Sequence, residues 1–512
     1  MKKISAFTLI ICGSSALYGP VLCGEEVEEG SNMVKKNGGD KDAPKADKTG
    51  TKKSESPPSL KKPSTTQASK PQSTSQPSRT SKDTADVSIP DFKLEIHEIK
   101  TKLPYAIWYI PSDLPIVLIC IDFKDAGSKN TSRDHPSLPY FISPMLAKGA
   151  GKYNHLKYLK RLYDNGANLN FCVGIDHAGC TLWAPADSYE DPLELAVLAM
   201  TSPRLPKDEL KKLKKCALID IEESQKVPRT CLQDAMSKLF YPIDHPYRSC
   251  SDEDKTDVST IERNDIRNFL KFWSQSNAYV TILGPWSRQS EIAAKVEEQL
   301  LKLPVSGKPT VEGPFQLNPI LKNIDVYFNV PQTLIVAKAL GFNKKDLDDY
   351  AIKLAFWVFA QSSMSSMMFK QIREKLGLSY FCGGQPVRRE LECFLQFAMG
   401  TQTETVNQAK EALIALLKQT IQRGMTREQF DTGKQELVGG CVVRLDSSEH
   451  VVSYIGRLRL DGYSRDDVIL HSAKIAAVTY EQANNALKGL CSRLCENGQL
   501  VFGTVGNGAS NA

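Results

Sequence analysis

Past its first two dozen residues the chain has no apolar run long enough to cross a bilayer, so no membrane span is expected. Charge of one sign is also scarce. The net value is +6 over 512 residues, and much of the lysine sits in one polar tract, which argues against a nucleic-acid footprint. No Cys-x-x-Cys pair occurs. The 13 cysteines are scattered, and most, such as Cys120, Cys172, Cys180, Cys216 and Cys393, lie inside apolar runs. That placement predicts small buried thiols rather than a disulfide framework, although an exported chain would permit some pairing. Aromatic residues are missing from about Glu25 to Val87, where Lys, Ser, Thr, Pro, Gln and Gly dominate. Such a tract cannot bury enough apolar area to offset its ordering entropy, and a disordered tether is expected over 25–88.

What is present begins with an N-terminus of export type. Lys2-Lys3 precedes a short apolar run, Ile4 to Leu17, so residues 1–24 read as a signal peptide and a periplasmic location is expected. Val21-Leu22-Cys23-Gly24 loosely resembles a lipid-attachment site, but Leu22 is large for the residue before the cysteine. Lipid anchoring at Cys23 is the lesser expectation.

The folded part starts near Phe92. Strands are predicted over Ile116 to Phe123, Asn168 to Val173, Ala178 to Ala184 and Ala278 to Leu283, and helices over Ser137 to Ala147 and Lys207 to Gln225. Another helix runs from Thr260, its expected N-cap, to Phe272. A Pro/Gly-bearing connector, 306–320, divides a first half at 89–305 from a second at 321–512. The second half repeats the order: strands at Ile324 to Asn329 and Thr333 to Ala339, a long helix at Leu347 to Ala360, and another at Ser366 to Lys375. Strands at Ser379 to Gly383 and Glu392 to Met399, helices at Val406 to Arg423 and Arg427 to Val438, and a last strand at Gln499 to Val505 complete it. The fold class is therefore α+β, built of two homologous α/β-sandwich halves, as an internal duplication would leave.

The ordered motifs "LPYFISPMLAKGAG", "GANLNF", "LPKDELKKLKKCALIDIEESQKVP" and "HPYR", followed by "FKQIREKLGLSYFCGG", give the chain a family likeness. From Phe92 to Gly506 it resembles the pitrilysin/insulinase (M16) family of inverted-motif zinc peptidases. That chemistry rests on H-x-x-E-H on one helix plus a downstream carboxylate. Laid on this sequence, the first histidine falls on Tyr140, the glutamate on Ser143 and the second histidine on Pro144, with Asp220 at the carboxylate position. Phenol and proline replace imidazole, and Ser143 cannot act as general base at neutral pH. Pro144 removes a helical hydrogen bond, and a break or a helix start is expected there. No metal is expected in this chain.

Arg373 and Tyr380 match the family's arginine and tyrosine, seven residues apart. The resemblance implies that they hydrogen-bond the substrate carbonyl and the oxyanion formed on attack. The plain alternative is a helix-end arginine and a packed tyrosine. In active members an edge strand beside the zinc helix pairs with extended substrate. Here Asn168 to Val173, with Asn168, Asn170 and Val173, takes that place, or is an ordinary hairpin strand. His245-Pro246-Tyr247 reads as a structural turn. Some branches of the family are two-chain enzymes whose second subunit lacks the metal motif but keeps the arginine and tyrosine. The resemblance thus implies a non-catalytic subunit of a heterodimer or heterotetramer acting on peptides, with zinc in the motif-bearing partner. The alternative is an envelope binding or scaffold protein on an inactive peptidase fold.

Overall fold

The structure, a computed structural model, describes residues 94–249, 254–307, 315–318, 322–496 and 500–507. The signal peptide, the 25–88 tether, Cys23 and part of the 306–320 connector lie outside the described residues. Among those described, no helix is long and apolar enough to cross a membrane.

The first half holds β1 (His97–Ile99), β2 (Ile107–Pro111), β3 (Ile116–Phe123), a small β4–β5 hairpin (Gly149–Ala150, Tyr153–Asn154), β6 (Asn168–Val173), β7 (Ala178–Pro185) and β8 (Ala278–Gly284). Its sheet runs β1-β2-β8-β3-β7-β6, antiparallel except for β2 and β8. The second half holds β9 (Ile324–Tyr327), β10 (Gln332–Phe342), β11 (Phe381–Arg388), β12 (Cys393–Gln402) and β13 (Leu500–Gly506), in the order β11-β12-β10-β13-β9. Again one pair is parallel, β13 with β9. Leaving out β1 and the small hairpin, the two sheets share one strand order, with first and last strands parallel and the third at the edge. That is the topology of a duplicated α+β module.

The central strands are apolar on both sides, and the alternation of side chains explains why. On β3, Val117, Ile119, Ile121 and Phe123 face the main core of the first half, with Phe141 and Leu193. Leu118 and Cys120 face the other way, onto Val452 and Ile455 of the Ser448–Leu460 helix. On β10, Ile335 and Ala337 face the core of the second half, and Val336 turns to Leu232 and Met236 of the Pro228–Phe240 helix. Each half therefore lends one helix to the outer face of the other half's sheet. Gly456 and Gly503 mark the closest approaches. A Cβ on Gly456 would stand 3.1 Å from Asp122 Oδ2, and one on Gly503 would stand 2.7 Å from Met236 Sδ.

His245-Pro246-Tyr247 is a buried turn at this junction. His245 stacks on Tyr241 at 4.4 Å, and the Tyr247 hydroxyl donates to Asp176 and accepts from the Leu391 amide at 3.1 Å. Six of the cysteines among the described residues are buried thiols, including Cys120, Cys180 and Cys393, whereas Cys216 is exposed.

Three expectations need correction. Thr260 ends the Asp254–Thr260 helix, its hydroxyl bonded to the Asp257 carbonyl, and the next helix, Arg263–Leu270, starts from Glu262. The Asp265 carboxylate accepts from the Glu262 amide there at 2.6 Å, so the stronger cap lies two residues on. The long helix at Leu347 to Ala360 is interrupted at Asp349, which accepts from the amides of Ala351 and Ile352 and starts a new helix, Tyr350–Phe356. That helix continues in π geometry over Trp357–Gln361. Finally, Pro144 does not break its helix, which spans Leu138–Leu146. Pro144 lies in the last turn, where only the Tyr140 carbonyl loses its donor.

Candidate functional site: a closed metal position and an exposed arginine–tyrosine pair

The Leu138–Leu146 helix is anchored by Phe141, Ile142, Met145 and Leu146, all fully buried. Tyr140, Ser143 and Pro144 fall on its other side by helical spacing and are half-buried. The helix packs against β6 and the Lys207–Ser224 helix. Tyr140 and Asp220 meet there across 80 residues of sequence: the phenol donates to Asp220 Oδ2 at 2.5 Å. Burial, then this bond and the Asp220 charge, push the Tyr140 hydroxyl well above its ordinary range, so it stays a proton donor.

These residues do not fit a zinc ion. The set offers one carboxylate, already engaged, with a protonated phenol, a serine and a proline where two imidazoles would stand. Among the described residues no cluster of three or more His, Cys, Asp or Glu is placed to hold a metal.

In the second half the corresponding helices are also tied by one carboxylate. Glu436 Oε2 accepts from Trp357 Nε1 at 3.2 Å and from the hydroxyls of Ser362 and Ser365 at 2.7 Å each.

Arg373 lies on a π-helix, Phe369–Lys375, held down by buried Phe369 and Ile372. Its guanidinium is exposed and lies 4.7 Å from the centre of the Phe369 ring. Gly377, at φ +62°, ends the helix: its amide donates to the Arg373 carbonyl at 3.1 Å, and the Leu378 amide to that of Ile372 at 3.0 Å. The chain then enters β11 through Ser379, whose hydroxyl donates to the Gly400 carbonyl at 2.8 Å, and Tyr380. Tyr380 is 49% exposed, its ring over Gly400 and edge-on to Phe381 at 4.9 Å. A Cβ on Gly400 would come within 2.4 Å of that ring, so only glycine leaves room for this pose. Partial burial raises the pKa of the Tyr380 hydroxyl. Among the described residues neither the Arg373 guanidinium nor the Tyr380 hydroxyl has a hydrogen-bond partner.

β6 is the outer strand of its sheet, paired only with β7 among the described residues. Asn168 and Asn170 are exposed and Val173 is half-buried. Gly400 is the residue that sequence reasoning missed. It carries no motif, and only the β11–β12 register, which sets Phe381 opposite Gly400, brings it beneath Tyr380.

Comparison with known proteins agrees with this architecture. Residues 260–437 match the family described as the peptidase M16 inactive domain. A curated relative, the non-peptidase homolog YmxG of Helicobacter pylori, is 20% identical over 350 residues, which cover 67% of this chain and 78% of that protein. A peptidase M16 inactive domain from Pseudomonas fluorescens superposes with a TM-score of 0.70 at 19% identity, over 81% of this chain and 98% of that one. The periplasmic protease PqqL of Escherichia coli superposes at 0.64 and 12% identity, over 83% of this chain but only 48% of that one. The chain is thus similar to peptidase M16 proteins: residues 260–437 match the family's inactive domain, the solved structures share its fold, and no H-x-x-E-H motif occurs in its sequence.

Proposed function

We propose that this chain is the non-catalytic, substrate-binding subunit of an exported zinc-dependent peptidase that cleaves peptides or unfolded polypeptides. It pairs with a motif-bearing homologue as a heterodimer or heterotetramer, and zinc belongs to that partner. Arg373 and Tyr380 donate to the substrate carbonyl and to the oxyanion that develops on it, and the outer edge of β6 pairs with extended substrate. The observation that carries this reading is the contrast between the two positions. The metal position is closed by the Tyr140–Asp220 bond, whereas Arg373 and Tyr380 present unengaged donors at the surface. The M16 inactive-domain match and the non-peptidase relative support a subunit relieved of the chemistry. The periplasmic relative supports the expected location.

The test is reconstitution with a motif-bearing homologue from the same source. Arg373→Ala and Tyr380→Phe should each lower kcat roughly a hundredfold while the complex elutes unchanged in gel filtration. Full turnover in both variants would remove their assigned role and favour the scaffold reading. Stoichiometric zinc and peptidase activity in the isolated chain would sink the subunit reading altogether.

A further inference from the structure

Arg373 stands on the Phe369–Lys375 helix and Tyr380 at the entry to β11, and the connector 376–379 sets the spacing between them. On the helix side the connector is tied through backbone alone. The Leu376 amide donates to the Gln371 carbonyl at 3.1 Å, and the Gly377 and Leu378 amides donate as described above. On the sheet side two buried hydroxyls add to the backbone bonds. Thr401, 1% exposed, donates to the Leu378 carbonyl at 2.7 Å, and its oxygen stands 2.6 Å from the Thr405 hydroxyl. Ser379, 7% exposed, donates to the Gly400 carbonyl at 2.8 Å, with the Phe381 carbonyl close by. The same Gly400 carbonyl accepts from the Tyr380 amide at 3.1 Å. Residues 373–377 are all exposed, so that stretch draws little support from packing and its course depends on these bonds.

The duplicated module supplies a comparison. The first half makes the same turn between the His155–Asp164 helix and β6, with Gly166 at φ +61°. There the amides of Gly166 and Ala167 donate to the carbonyls of Tyr163 and Leu162 at 3.0 and 2.9 Å. Asn168, at the place of Ser379, is exposed. The Ala167 carbonyl, at the place of Leu378, takes no side-chain donor among the described residues. The turn therefore forms without the two hydroxyls, and they belong to the half that carries the arginine and the tyrosine. Two donors that must meet one carbonyl oxygen tolerate little error, since a displacement of about 1 Å can cost a hundredfold in rate.

We infer that Ser379 and Thr401 are positioning residues, whose hydroxyls fix the connector so that the Arg373 guanidinium and the Tyr380 hydroxyl converge on one substrate oxygen. The inference rests on the subunit reading and adds to it the residues through which the pair is set.

The reconstituted complex, assayed with an internally quenched casein-derived peptide, tests it. Thr401→Val keeps the shape of the side chain and removes its hydroxyl, and Ser379→Ala removes the other. Each should lower kcat about tenfold while KM stays within about twofold and the complex elutes unchanged in gel filtration. Thr401→Ser, which returns the hydroxyl, should restore kcat. With Arg373→Ala and Tyr380→Phe already in place, neither change should lower kcat further, because residues that act through the pair lose their effect with it. Full kcat in both single variants, or the same tenfold loss in that background, would overturn the inference. Full turnover in Arg373→Ala and Tyr380→Phe themselves would instead remove the subunit role of the pair, and the inference with it. If Thr401→Val fails to fold, Ser379→Ala alone and in that background decides the matter.

Discussion

Tyr140 and Asp220, which the family resemblance sets at metal-ligand positions, meet here in a structural contact. A half-buried carboxylate facing a phenol at 2.5 Å needs no counter-ion. Tyr140→Phe removes the donor that Oδ2 accepts from and should cost about 1–2 kcal/mol, measured by urea unfolding. Asp220→Asn keeps an acceptor and should cost less; the reverse ranking would mean that the bond adds little. Spacing from the resemblance alone placed Tyr140, Ser143, Pro144 and Asp220. Their joining was not legible, because 80 residues separate donor from acceptor and only tertiary packing closes the gap. Arg373 and Tyr380 were legible as a motif, with Gly377 and its left-handed turn between them. The pose of Tyr380 was not legible, since it depends on Gly400 in the neighbouring strand.

At the scale of elements, period and local chemistry carried most of the reading. β3, β6 and the Val406–Arg423 helix fall on the predicted residues because an apolar alternation or a helical stripe runs to a turn signal at each end. The Leu347 to Ala360 prediction failed at one side chain, since Asp349 caps a new helix in the middle of an apolar stripe. The Ser448–Leu460 helix went unread because its apolar face covers a strand pair more than 150 residues away in sequence. Its glycine gives an element-scale prediction. Gly456→Val should cost about 1–3 kcal/mol, because its side chain must enter the space against Asp122 and Thr281. Gly439, inside the Arg427–Val443 helix with nothing within 4 Å of its would-be Cβ, is the control. Gly439→Ala should gain about 0.5–1 kcal/mol through helix propensity.

Across the whole molecule, burial sets a pH dependence of definite sign. Burial pushes His177 and His245 down to about 4 and His471 to about 3. An unfolded chain takes up these protons near pH 6.5, so it binds more protons than the folded one below that value. Stability should therefore be full above about pH 6.5 and fall progressively toward pH 4. Asp122, raised by burial to about 6, works the other way: between about pH 4 and 6 the folded state holds the extra proton. Burial also raises Asp257 and Glu392, whereas Glu209, Glu291, Asp346 and Asp467 are lowered and side with the three histidines, so the net slope of unfolding free energy from pH 4 to 6.5 should be positive. His177→Gln should reduce that slope. A flat profile in urea titrations across this range would show the histidines to be hydrated in the folded state.

The reciprocal loan of helices between the halves has a further consequence. The Pro228–Phe240 and Ser448–Leu460 helices each hold the sheet on the far side of the connector, so the two halves are clasped through noncovalent packing in both directions. A single cut within 306–320 should leave a nicked particle that migrates as one body in gel filtration and separates only in denaturant. Either half expressed alone should be insoluble for want of its missing cover, and the two should rescue each other when produced together. Duplication made two modules, and this packing makes them inseparable in use.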